Sequence, residues 1–200
     1  MEINIDKNYW ENRWLKNETG WDIGYAAPAM SAYIQQFQNK SASILIPGCG
    51  NAHEAMFLVE CGFTDITLID IAVPVVEALQ RKFKSSDQVK VLCEDFFMHE
   101  GEYDLIIEQT FFCAIPPSRR EEYVQKIFSL LSSDGRLVGL LFNKHFNHSG
   151  PPFGGTQEQY RRLFEKLFKI EKLERCYNSI EPRVDTELFI NFLKRPPLHL

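Results

Sequence analysis

The chain has 200 residues and a formal net charge of −5, with 44% hydrophobic and 24% charged residues, which suits one globular domain with a substantial core. An acidic balance whose longest basic cluster is Arg161-Arg162 argues against a nucleic-acid partner. No apolar run approaches a membrane span, and the opening MEINIDKNYW lacks the basic and apolar regions of a secretory leader, so a cytoplasmic protein is expected. The five cysteines (Cys49, Cys61, Cys93, Cys113, Cys176) are scattered and odd in number, which reads as packed thiols rather than a disulfide framework. Disorder is expected only at the ends, Met1 to Asp6 and Arg195 to Leu200.

Residues 1–40 form a helical preface, with helix-like apolar spacing over Asn8 to Leu15 and Met30 to Phe37. Strand and helix then alternate over residues 41–200. Ile44 to Ile46 is an apolar run ending at Pro47-Gly48-Cys49-Gly50, and Asn51 to Cys61 is a helix stopped by Gly62. Ile66 to Ile69 ends at Asp70, Val75 to Phe83 is helical, Val89 to Leu92 ends at Glu94-Asp95, and Tyr103 to Ile107 ends at Glu108. Ser118 to Leu131 is a helix with Ser118 as its cap, and Leu137 to Phe142 is a fifth strand after the Asp134-Gly135 turn. A loop rich in Gly, Pro and His follows (Asn143 to Gly155), then a helix, Gln157 to Phe168. Two strands with no helix between them, Ile170 to Cys176 and Glu187 to Leu193, end the pattern. The predicted fold is a doubly wound, mostly parallel α/β sheet with an antiparallel pair at one edge.

Ligands of such sheets bind outside the carboxyl ends of the strands. Gly48 and Gly50 permit a tight turn there, and Asp70 lies about twenty residues on, the spacing of a ribose-binding carboxylate. Asp70 could equally cap the following helix. A dinucleotide fingerprint asks for glycine in the third slot; His53 stands there, which disfavours a pyrophosphate and suits S-adenosylmethionine, which has none. Trp10 and Trp14 lie one turn apart and Trp21 follows. Such a set is either a core stripe or a lid whose aromatic faces attract a sulfonium cation. His145 and His148 lack an acidic or cysteine partner close in sequence and read as surface loop, so no metal is expected.

Four strings then stand out: Tyr9-Trp10-Glu11-Asn12-Arg13-Trp14 through Trp21-Asp22, Pro47-Gly48-Cys49-Gly50, Phe111-Phe112-Cys113-Ala114-Ile115, and Gly150-Pro151-Pro152-Phe153. Through them the chain resembles the thiopurine methyltransferases, and more closely the plant-type halide and thiol methyltransferases, from about Tyr9 to Leu193. The resemblance implies a seven-stranded, S-adenosylmethionine-dependent methyltransferase fold under a helical N-terminal cover. It places cofactor contacts at Trp10, Trp14, Trp21, Gly48, Asp70, Asp95, Phe96 and Gln109, with S-adenosylhomocysteine as product. The thiopurine branch has Arg where this chain has Gln109, so the acceptor implied is a thiol, bisulfide, thiocyanate or halide rather than a thiopurine.

Phe111, Phe112, Pro152 and Phe153 are the candidate acceptor wall; core packing is the alternative for the first two. No obligatory base is evident, as suits a nucleophile that needs none. A monomer acting on a small molecule is expected. The competing readings are a thiopurine-type enzyme, a nonenzymatic binding module and an NAD oxidoreductase.

Overall fold

The computed structural model describes residues 4–196; the first three and last four residues of the expected disordered ends lie outside that range. Five short runs rich in Ile, Leu and Val form parallel strands: β1 (Ser43–Pro47), β2 (Asp65–Asp70), β3 (Val89–Cys93), β4 (Tyr103–Gln109) and β5 (Leu131–Phe142). The final pair, β6 (Phe168–Arg175) and β7 (Glu187–Lys194), is antiparallel, with β7 inserted between β5 and β6. The sheet order is β3-β2-β1-β4-β5-β7-β6.

Side chains alternate across a strand, and both faces are covered. Ile44, Ile46, Leu105, Ile107, Val138 and Leu140 pack in one core with α2 (Pro28–Gln36) and α3 (His53–Glu60). Leu45, Ile106, Leu137 and Leu141 pack in the other with α5 (Arg120–Leu130) and α6 (Gln157–Phe164). α4 (Val73–Lys82) presents Val75 and Val76 to Trp10 and Trp14 of α1 (Lys7–Leu15). The strand order reverses between β1 and β4, and the connections leaving those strands part to opposite faces there. A crevice opens at such a point.

Several boundaries differ from the sequence expectation. The fifth strand starts at Leu131, not Leu137: Leu131 pairs with Tyr103, the register shifts before Leu105 meets Arg136, and Asp134-Gly135, expected as a turn, lies within the strand at that irregularity. Ser118 sits inside a 3-10 turn, Pro117–Arg119, and α5 has no side-chain cap. The last helix stops at Phe164, since Phe168 already pairs with Lys194 in the sheet. α3 starts only at His53, after Ala52 in the left-handed region (φ 54°). α2, expected as part of the cover, is an element of the core, with Ala29, Met30 and Ile34 buried. α1 buries no residue and lies over the strand ends.

Gly139 on β5 faces Glu108 on β4. A Cβ at position 139 would stand 2.1 Å from the Glu108 carbonyl oxygen, so only glycine lets the two strands pair at this point.

Candidate active site

A cavity of about 1140 Å³ runs along the carboxyl edge of the sheet beneath α1. That exceeds the roughly 300–1,000 Å³ of common ligand sites and leaves room for two reactants. Of the residues singled out from sequence, Trp10, Trp14, Trp21, Gly48, Asp70, Asp95, Phe96, Phe111 and Pro152 line it.

The glycine turn is built for close approach. Gly48 has φ +57°, and a Cβ there would meet the Phe111 ring at 2.2 Å. Asp70 locks the turn: Gly50 N–H donates to its Oδ2 (3.1 Å) and Ala72 N–H to its Oδ1 (2.9 Å). The carboxylate thus holds the turn rather than capping α4, and its oxygens keep further lone pairs on the cavity side. Burial pushes the Asp70 carboxyl above its ordinary range, against three backbone amides that favour the anion. A buried anion with only amide partners beside a glycine cradle fits the ribose of S-adenosylmethionine, with Gly48 and Gly50 giving the rest of the nucleoside room.

The exit of β3 is fastened similarly. Asp95 Oδ1 accepts from Phe97 N–H (2.9 Å) and starts the turn that sets Phe96 in the wall. Glu94 meets His99 Nδ1 at 2.5 Å, and His99 Nε2 lies 2.8 Å from the Tyr103 hydroxyl.

Above the cavity, Trp21 stands edge-on to Trp10 and Trp14, with ring centroids 5.6 and 5.8 Å away. Asp22, next in sequence, anchors this cover to the glycine turn. It bonds Asn51 Nδ2, His53 Nε2 (2.8 Å) and Gly24 N–H (2.8 Å), and these partners hold its carboxyl below its ordinary range against the desolvation that raises it. His53, which argued only against a dinucleotide in the sequence, is therefore a cover anchor. His53→Ala is expected to weaken S-adenosylhomocysteine binding about fivefold, the worth of one hydrogen bond of ~1 kcal/mol. Tryptophan fluorescence titration measures it, and an unchanged affinity would remove the anchor.

Three sequence candidates fall elsewhere. Gln109 points to the opposite face of β4 from Glu108 and lines a separate small pocket with Ile23, Ala27 and Leu140. Phe112 is buried among Tyr123, Tyr160 and Phe164; it takes the core role. Phe153 is tied by its backbone, N–H to Cys113 O at 2.6 Å, and its side chain is not part of the cavity wall. Conversely, Phe142, Lys144, Phe146 and Arg183 line the cavity without having been singled out. Lys144 and Phe146 sit in the loop after β5, and Arg183 in a 3-10 turn before β7; neither segment has a periodicity that marks its facing. The one available signal was lone basic residues in two Pro-containing loops.

Arg183 is held on three sides. Its Nη2 donates to Trp21 O (2.9 Å), its Nη1 lies 3.5 Å from Glu187 Oε1, and its guanidinium stands 5.6 Å from the Phe142 ring centroid.

The fold and this site define an S-adenosylmethionine-dependent methyltransferase of class I architecture. A solved relative in fold is the 1,6-didemethyltoxoflavin-N1-methyltransferase of Burkholderia thailandensis with S-adenosylhomocysteine bound (TM-score 0.77, 18% identity, 96% of this chain and 88% of that one). Residues 5–191 match the thiopurine S-methyltransferase family, and the chain belongs to it. Its relatives include a probable thiol methyltransferase 2 of Arabidopsis thaliana, 30% identical over 79% of this chain and 72% of that protein. Another is thiocyanate methyltransferase 1 of Brassica oleracea, 28% identical over 92% and 83%. A thiopurine S-methyltransferase of Photobacterium profundum is 25% identical over 80% and 83%. Among the described residues no helix is long and apolar enough to cross a membrane.

Proposed function

We propose that the chain methylates a small, soft anion: a thiolate, bisulfide, thiocyanate or halide. One observation carries the reading: the strand-end carboxylates of the lining gather at one end of the cavity and leave the other end basic. Asp70, Glu94 and Asp95 stand at the ends of β2 and β3, with the cations Lys7 and Arg119 near them, whereas Lys144 and Arg183 stand beside β5 and β7 with no strand-end carboxylate of the lining among them. Gly48 and Phe111, at the ends of β1 and β4, separate the two halves. The acidic half suits the cofactor, and the basic half suits an anion against Phe142, Phe146 and Pro152. The thiol and thiocyanate names of two relatives agree with it.

When bound, S-adenosylmethionine supplies an electrophilic methyl group on a sulfonium. Trp10, Trp14, Trp21, Gly48, Asp70, Asp95 and Phe96 would hold it. The tryptophan faces attract the cation and, with α1, exclude water, while Lys144 and Arg183 draw the anion in and orient it. Orientation of this kind lowers a barrier by up to about 7–11 kcal/mol in favourable systems. No side chain need accept a proton from a nucleophile that arrives ionised. Cys113, the thiol in the wall, is pushed up to about 12 by burial and by the charge of Glu108; it stays neutral and serves as packing. The same reading sets a monomer in the cytoplasm, in keeping with five unpaired cysteines among the described residues.

A methyl-transfer screen over thiocyanate, bisulfide, iodide, an aliphatic thiol and a thiopurine tests the acceptor. Turnover is expected with the small anions at a kcat/KM above that for the thiopurine. The reverse order would favour the thiopurine reading, to which the aromatic wall and the Photobacterium relative's name point. No turnover with any of them would end the acceptor claim.

A further inference from the structure

Glu108 is fully buried, lies outside the cavity, and has no role in the chemistry above. Its contacts are nonetheless directed at the cavity wall. Oε1 accepts from the amides of both Phe111 and Phe112 at 2.8 Å, and Oε2 accepts from the Tyr123 hydroxyl at 2.7 Å. The amides belong to the turn where β4 leaves the sheet, entered through Thr110 in the left-handed region (φ 61°). The Phe111 ring leans on Gly48 and packs edge-on to Phe96 at 5.1 Å. Phe96 and Phe111 both pack on Tyr123, at 5.6 and 6.2 Å. One carboxylate therefore holds the wall through its backbone and, by way of Tyr123, through its rings.

We propose that Glu108 is a positioning residue and a proton-sensitive one: as an anion it holds Phe111 against the glycine turn, and on taking up a proton it loosens the wall on which the cofactor rests. The reason is the direction of the bonds. Three donors converge on the carboxylate, and bonds to an ionised acceptor are roughly twice as strong as neutral ones. A proton on Oε2 would face the proton of the Tyr123 hydroxyl, so that bond must reverse or break, and the two amide bonds lose their charge assistance.

Burial, opposed by the two amides and the tyrosine, pushes the Glu108 carboxyl up to about 7. The groups around it do not change charge in that window. Burial pushes Tyr123 well above its ordinary value, with the charge of Glu108 adding to it, and Cys113 and Tyr160 both up to about 12. Arg120 on α5 and Arg183 before β7 act on Cys113, and a guanidinium does not lose its proton in proteins. Gly139 is the β5 residue opposite and has no side chain.

The test is the affinity of the intact protein for S-adenosylhomocysteine, by calorimetry from about pH 5.5 to about pH 8.5, a span centred on neutrality. The product is uncharged at sulfur, so the sulfonium does not enter, and the result is independent of which acceptor is used. In the wild type the affinity is expected to fall about fivefold from the alkaline to the acid end, the loss of the charge assistance of roughly one bond. In Glu108→Gln that transition disappears. In Tyr123→Phe, which removes a bond favouring the anion, its midpoint moves to higher pH. A wild-type affinity flat across the range, a transition kept in Glu108→Gln, or an unmoved midpoint in Tyr123→Phe overturns the proposal. A merely structural carboxylate would lower affinity by the same factor at every pH when replaced.

Discussion

Asp70→Ala is expected to cut affinity for S-adenosylhomocysteine by about 100-fold or more. The side chain does two things. It offers oxygens to the cavity, and it holds the glycine turn through Gly50 and Ala72. Truncation strands one buried and one half-buried amide, at about 1–3 kcal/mol each, and removes the proposed acceptor for the sugar hydroxyls, a charge-assisted contact of about 1.5–3 kcal/mol. Together these exceed the 2.8 kcal/mol or so that corresponds to 100-fold. Asp70→Asn keeps one carbonyl oxygen but sets an NH2 against an N–H, so an intermediate loss is expected. The sign of the pH effect separates the two roles. The folded pKa of Asp70 is raised by burial above its ordinary 3.8, so its contribution to stability is full below that value. It is lost as pH rises through the raised one. The apoprotein thus carries a buried anion that weakens it near neutrality, as ligand sites do. Asp70→Asn should remove this slope from thermal unfolding curves while still binding poorly. A variant that bound normally would reduce Asp70 to a turn fastener.

The edge on which the chemistry sits was legible because the apolar runs are unbroken and each ends on a Gly or an acid: Gly48, Asp70, Asp95. Buried parallel strands force that pattern, and the switch point then decides where the ends converge. What stayed hidden depends on facing rather than position. Gln109 and Glu108 are adjacent strand-end residues, and only the pairing of β4 with β1 and β5 decides which side each takes. Phe111 and Phe112 are two identical side chains entering a 3-10 turn; one lines the cavity and the other fills the core because Glu108 fixes both amides. Arg183 is remote from every glycine or acidic marker. It reaches the site because β7 inserts beside β5, a topology that the two terminal strand runs suggested as a pair but whose order they do not encode locally.

Arg183→Ala is expected to lower kcat/KM for thiocyanate or bisulfide by about 100-fold, with a much smaller effect on a neutral thiol. A desolvated contact between a guanidinium and an anion is worth about 1.5–3 kcal/mol, and the substitution also frees the Trp21 carbonyl, so the cover loses a tie. Stability complicates the measurement. Glu187 is buried, with burial raising its pKa against the lowering effects of Ser179 and Arg183. Removing the cation leaves that carboxylate unpaired, a change that costs about 3–5 kcal/mol in buried pairs, less here because the contact is long at 3.5 Å and the acid can take up a proton. The double substitution Arg183→Ala with Glu187→Gln resolves the two effects. It should recover most of the thermal stability lost in the single variant, since no buried charge remains, yet leave turnover of the anions as low as before. If activity returned along with stability, Arg183 would be a structural partner of Glu187 and the basic half of the cavity would rest on Lys144. If both variants kept wild-type turnover, the acceptor would enter from the other end of the sheet edge, and the charge division would have to be explained by the cofactor alone.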